Sequence, residues 1–207
     1  MARPPRTSIQ ELINAAASVF ERKGFVDATM SDIAAEAGIS KPTVYQYVDS
    51  KNWLLEKIVQ QVIYPLRDGL EVIVASDASA LEKLEQYVRL QVNSAIRYRT
   101  YYAVLIADQH QLSDQALREY LSWARDVNHT AQRLLRDCAQ AGVVRDDIDI
   151  GTAVNLLNGM LTSIARWYQD SGPIGPDELV RQVMGLLSGY VLPQPQQAEA
   201  KLDQRSL

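Results

Sequence analysis

Apolar positions along this chain recur at steps of three and four. Ile9, Leu12, Ile13, Ala16, Val19 and Phe20 fall on one face of a first helix, which Gly24 is placed to end. Leu81, Leu84, Val88, Val92 and Ala95 repeat the pattern near the middle, and Tyr120, Trp123, Val127, Leu134 and Cys138 mark a longer helix. Ile150, Val154, Leu157, Leu161, Ile164 and Tyr168 trace another, closed by Ser171-Gly172-Pro173, and Leu179, Val183, Leu186, Leu187 and Tyr190 trace the last. Alternation of the kind that marks strands, bounded by turn pairs, is absent. The spacing therefore predicts an all-α fold, and about nine helices are expected in all.

Between residues 29 and 51 the pattern shortens. Thr29 is placed to cap a helix through Ile33-Ala34-Ala35-Glu36-Ala37, and Gly38 suits the left-handed position that ends it. Ser40 caps a second helix, in which Pro42 is tolerated because first-turn N–H groups have no intrahelical acceptor. Ile39 fits the angle between the two helices, and Val44 with Val48 gives the second one its apolar side. Two short helices joined through a glycine turn, with the small Ala34 at their crossing, predict a helix-turn-helix. The second helix of such a motif offers its first residues to base edges in a major groove.

Both ends of the chain, MARPPR and PQPQQAEAKLDQRSL, are polar and contain prolines. The predicted organisation is a helix-turn-helix unit over 1–50 with an arm at 1–7, a larger helical unit over 51–192, and a tail over 193–207. Net charge over all 207 residues is −4, which argues weakly against a nucleic-acid partner. Residues 1–57 hold seven basic side chains (Arg3, Arg6, Arg22, Lys23, Lys41, Lys51, Lys57) and seven acidic ones (Glu11, Glu21, Asp27, Asp32, Glu36, Asp49, Glu56). Any DNA contact must therefore come from local placement of charge. One cysteine excludes an internal disulfide, and no apolar run approaches a membrane span, so a cytoplasmic protein with no membrane partner is expected.

Residues 8–57 closely resemble the TetR family of bacterial transcriptional repressors. The likeness runs through Ile13, Ala15-Ala16, Phe20, Lys23-Gly24-Phe25, Ala28-Thr29-Met30-Ser31-Asp32-Ile33-Ala34, Ala37-Gly38-Ile39-Ser40, Thr43-Val44-Tyr45, Tyr47, Ser50-Lys51 and Leu54. Val48 stands where the family usually has Phe, and Tyr47 where many members have His. The resemblance implies phosphate contacts from Thr29, Tyr45, Tyr47 and Lys51. It implies base reading by Lys41, Pro42, Thr43 and Gln46, with Lys41 equally placed for a phosphate, and with Arg3 and Arg6 as an arm either in the minor groove or in solvent. It also implies a homodimer on double-stranded, palindromic operator DNA, released by a small-molecule effector. A helical module that meets another protein through the same motif is the alternative.

Beyond residue 57 the resemblance implies dimerisation and effector binding. Asn155, Gly159 and Ser163, then Gly185 and Gly189, place small residues four apart on the last two predicted helices, as close approach between subunits requires. Tight packing within one subunit would use the same pattern. Tyr101, Tyr102, Tyr120, Trp123, Trp167 and Tyr168 offer apolar surface with polar tips for an amphipathic or lipophilic ligand. The segment Ile164-Ala165-Arg166-Trp167-Tyr168, with Asp170-Ser171-Gly172-Pro173-Ile174, resembles family members that regulate fatty-acid and sterol catabolism, some sensing acyl-CoA thioesters. Pro65, beside Tyr64, is expected to interrupt the helix joining the two units and act as its hinge. No catalytic constellation, metal set or cofactor is expected. His110 and His129 lie far apart, Cys138 reads as a core residue, and Asp146, Asp147 and Asp149 read as a solvated loop.

Overall fold

A computed structural model describes residues 7–169 and 171–188. Its order is α1 (Ile9–Lys23), α2 (Met30–Glu36), α3 (Lys41–Val44), α4 (Lys51–Ala75), α5 (Ala80–Arg97), α6 (Arg99–Asp108), one 3-10 turn (Gln109–Gln111), α7 (Asp114–Gln140), α8 (Ile150–Trp167) and α9 (Pro176–Ser188). The described residues thus form nine α-helices and no strand, as the periodicity predicts. Arg3, Arg6, Asp170, Gly189, Tyr190 and the tail fall outside the described residues.

Short side chains set where the helices begin. Ser8 with Glu11, Thr29 with Asp32, and Ser79 with Glu82 form reciprocal capping boxes at α1, α2 and α5. Ser40, Ser50, Ser113 and Asp149 accept from backbone N–H groups at the starts of α3, α4, α7 and α8. Asp149 is thus a helix cap. Gly38, at φ 66°, makes the turn between α2 and α3 without the Cβ clash another residue would meet.

Helices α1 to α3 close around the front of α4. Leu12, Ala16, Val19 and Phe20 of α1 meet Ile33, Val44, Leu54, Leu55 and Ile58, all essentially solvent-free. Val48 is buried as well. The rear of α4 packs with α5, α6 and α7, and both α8 and α9 lie against α5.

Four expectations need correction. Ile9, Leu81 and Leu186 are 47%, 43% and 69% exposed, whereas Leu84 and Tyr87 on α5 and Val180 and Val183 on α9 are buried. Pro65 does not interrupt α4, which runs unbroken for 25 residues. The proline sits on the exposed side, where the missing N–H leaves its carbonyl partner to water.

Candidate DNA-reading surface and effector cavities

The reading surface is built from the α2 cap downward. The Thr29 hydroxyl donates to Asp32 Oδ2 at 2.8 Å and accepts from the Asp32 N–H at 3.2 Å. Lys23 Nζ adds an ion pair to Asp32 at 2.7 Å, and Arg22 pairs with Glu36 at 2.9 Å, fastening the end of α1 to α2. Lys23 first, and then Thr29, hold the Asp32 carboxyl down at about 2.

Helix α3 is one regular turn. Beyond Val44 its hydrogen bonds tighten, with Gln46 N–H donating to Thr43 C=O and Tyr47 N–H to Val44 C=O. Val44 and Val48 face the core while Tyr45 and Tyr47 are 51% and 38% exposed. The Thr43 and Ser40 hydroxyls share a hydrogen bond at 2.7 Å. Among the described residues, Lys41, Gln46 and the Tyr45 and Tyr47 hydroxyls have no partner, so their polar ends are left for something outside the chain.

Lys51 is used differently from its expected phosphate contact. Its ammonium donates to the carbonyls of Phe25 (2.6 Å), Val26 (3.1 Å) and Ala28 (2.8 Å) and lies 4.5 Å from the Phe25 ring centre. All three N–H groups are engaged within the chain. Phe25 is also where the second unit arrives: its N–H donates to the buried Asp108 carboxylate at the end of α6. Sequence reading overlooked this junction, because residues 25, 51 and 108 share no local pattern.

The six expected pocket aromatics do not converge on one place. Tyr102, Tyr120 and Trp123 line a chamber of about 200 Å³ with Val62, Leu66 and Leu105, and no charged residue borders it. Tyr120 and Trp123 also border a neighbouring cavity of about 480 Å³ between α4 and α7. Tyr101 and Tyr168 line a separate cavity of about 660 Å³ against α1, and Trp167 is exposed on α8. Burial pushes the Tyr102 hydroxyl up to about 12, so it stays protonated beside Ser94. Trp123 Nε1 is buried and has no hydrogen-bond partner among the described residues, which costs stability. Tyr87 bridges Gln91 and Asn158, and Asn158 borders the apolar chamber.

On α8, Asn155, Leu156, Gly159 and Trp167 face outward and Ser163 is half-buried; on α9, Gly185 and Leu186 face outward. Nothing within the described residues lies within 4 Å of where a Cβ would sit on Gly159 or Gly185. Their missing side chains are therefore not needed for packing inside the subunit. Asn155 accepts from Asn128 at 2.9 Å. His110 and His129 are exposed. Cys138 is buried, donates to the Ala80 carbonyl, and is pushed up to about 11 by burial, leaving it a poor nucleophile at neutral pH. No group of acidic, histidine or cysteine side chains able to hold a metal ion is found among the described residues, and no helix there is long and apolar enough to cross a membrane.

A capped helix-turn-helix on the front of an all-helical body defines a DNA-binding transcription regulator, and family comparison agrees. Residues 12–58 match the model of bacterial regulatory proteins of the tetR family, and residues 77–191 match the tetracyclin repressor-like C-terminal domain. The chain belongs to the TetR family of transcription regulators. It is 26% identical to the HTH-type transcriptional repressor KstR2 of Rhodococcus jostii, across 88% of this chain and 91% of that one. The fold is shared with the ketosteroid transcriptional regulator KstR2 of Mycobacterium tuberculosis, at TM-score 0.83 and 19% identity over 91% of this chain and 98% of that one. It is shared too with AibR, solved with isovaleryl coenzyme A and operator DNA, at TM-score 0.74 and 16% identity over 89% and 98%.

Proposed function

We propose that this protein is a homodimeric repressor of a palindromic operator, released by a small lipophilic or acyl-CoA-like effector. The observation that carries the DNA contacts is the set of polar groups on and after α3, of which Lys41, Gln46 and the Tyr45 and Tyr47 hydroxyls have no partner among the described residues. Lys41, Pro42, Thr43 and Gln46 read bases, and Tyr45 and Tyr47 hold phosphates through neutral hydroxyls. Thr29 and Lys51 hold the frame on which these groups stand. A pair of such helices about 34–36 Å apart meets successive major grooves. The open glycine positions on α8 and α9, with exposed Leu156, Trp167 and Leu186, support a two-fold interface there.

The effector reading rests on the uncharged chamber lined by Tyr102, Tyr120 and Trp123. A structural relative captured with isovaleryl coenzyme A and operator DNA supports an acyl thioester as the kind of ligand. Gel-shift titration against the chain's own upstream region tests the reading. A sequence-selective complex is expected at low salt; its absence would overturn the repressor.

A further inference from the structure

The cavity of about 660 Å³ between α1, α4 and the junction of α5 with α6 differs in charge from the other two described above. Gln10 and Asn14 of α1, Gln61 of α4, and Arg97 and Arg99 at the junction supply its polar wall, and no carboxylate among the described residues borders it. The cavity between α4 and α7 is bordered by Glu56, Glu119 and Asp126 against Arg67 alone, and the aromatic chamber by no charge at all. Positive charge without compensation is thus concentrated in one of the three.

Among the described residues no carboxylate neutralises either guanidinium. Among the described residues Arg97 makes no ion pair and lies over the Tyr98 ring, 5.5 Å from its centre. Arg99 makes one long hydrogen bond, 3.4 Å to the Tyr168 carbonyl. A planar fork of N–H donors matches the oxygens of phosphate, and two forks beside neutral amides make an anion-selective wall.

We propose that this cavity is a binding site for the polyphosphate group of a ligand, such as the nucleotide end of coenzyme A. The inference rests on the effector reading and adds to it a second subsite, on the face of the sensor that touches the reading head. Gln10 and Asn14 belong to α1, and both are tied to the Tyr101 hydroxyl of α6. A polyphosphate seated there contacts both units at once. By reciprocity, operator must then change the affinity for this ligand by the factor with which the ligand changes operator affinity.

Isothermal titration of the full chain without DNA, using pyrophosphate, ADP and coenzyme A separately, tests the site. Saturable binding of at least one probe is expected. R97Q and R99Q should each weaken it about tenfold, the loss of one charged donor pair. R99K should recover part of the loss, and R118Q, on the exposed side of α7, should leave affinity unchanged. Coenzyme A binding much more tightly than pyrophosphate assigns the site to a thioester head; equal affinities assign it to free phosphate compounds. No binding of any probe at about 1 mM, or equal losses in R97Q and R118Q, overturns the site. Gel shifts of the same preparations without ligand separate the two readings, since a selective operator complex with no probe binding removes the phosphate site alone.

Discussion

The Asp108 carboxylate at the end of α6 accepts a hydrogen bond from the Phe25 backbone N–H at 3.2 Å, across 83 residues of chain. It joins the effector-bearing body to the turn between the first two helices of the reading head. Asp108 is 7% exposed and Phe25 is 6% exposed, so the bond is made away from water. Asp108→Ala should leave that N–H without an acceptor and lower stability by about 1–3 kcal/mol. Asp108→Asn retains an acceptor and should lose less. Urea unfolding of the two variants checks this ordering, and equal losses would show that the hydrogen bond is idle.

Lys51 gives a second test, since its ammonium holds three loop carbonyls. Lys51→Met keeps a linear stem against Phe25 and removes the donors. Thermal stability should drop by about 1–3 kcal/mol, as for hydrogen bonds to a charged group. The slope of log affinity against log salt for DNA should stay unchanged. A lysine resting on phosphate would instead reduce that slope by about one. Anisotropy titrations over a salt series distinguish the two roles.

Local signals in the sequence predicted local structure well. Thr29 and Ser40 mark true helix starts, and Gly38 marks the turn, because caps and turns depend on residues three or four positions apart. Tyr87 escaped notice because its polar tip is satisfied by Asn158, 71 residues away on another helix. Leu186 lies on the predicted apolar face of α9 and yet meets solvent, since periodicity marks an apolar side without saying which body covers it. Of the six aromatics chosen by type, Tyr102, Tyr120 and Trp123 share a chamber. Which ones meet depends on how α6, α7 and α8 cross, and that is not written in any one helix.

Trp123 carries a buried N–H without a partner among the described residues. Trp123→Phe removes that donor, and the relief offsets part of the lost packing, so stability should change by no more than about 1 kcal/mol. Effector binding should weaken, because Trp123 lines the chamber and the smaller ring leaves part of its wall empty. A displacement gel shift reads this as a higher effector concentration for half-release. Unchanged release would place the ligand elsewhere.

Acid should loosen the start of α2 later than an ordinary aspartate would predict. The Asp32 carboxyl is held down at about 2 from its usual 3.8, chiefly by Lys23 and then by Thr29. A depressed folded value means that the contribution is complete above about 3.8 and is lost as pH falls toward 2. Carboxyl carbon NMR should show an Asp32 midpoint well below the other exposed aspartates. Lys23→Ala should move it upward. A midpoint that ignores Lys23 would remove the ion pair from the account of the reading head.

Pro65 stands in unbroken helix between two functional stretches of α4. One turn before it, Gln61 donates to Gln10 of the reading head; on either side, Val62 and Leu66 line the apolar chamber. Proline has no N–H for the Gln61 carbonyl, so the helix lacks one rung there and bends at lower cost than its neighbours. A ligand in the chamber can use that weakness to tilt the front of α4 and change the separation of the two α3 helices. It can do so only by its difference in affinity for the two shapes, and a nearly complete switch takes about 5 kcal/mol of difference. Pro65→Ala restores the rung. Ligand-free operator affinity should stay within a few fold, about 1 kcal/mol, because the reading head itself is untouched. The effector concentration that half-releases DNA should shift severalfold. If release follows the same curve in the variant, α4 moves as a rigid rod and the proline is merely tolerated on its solvent side.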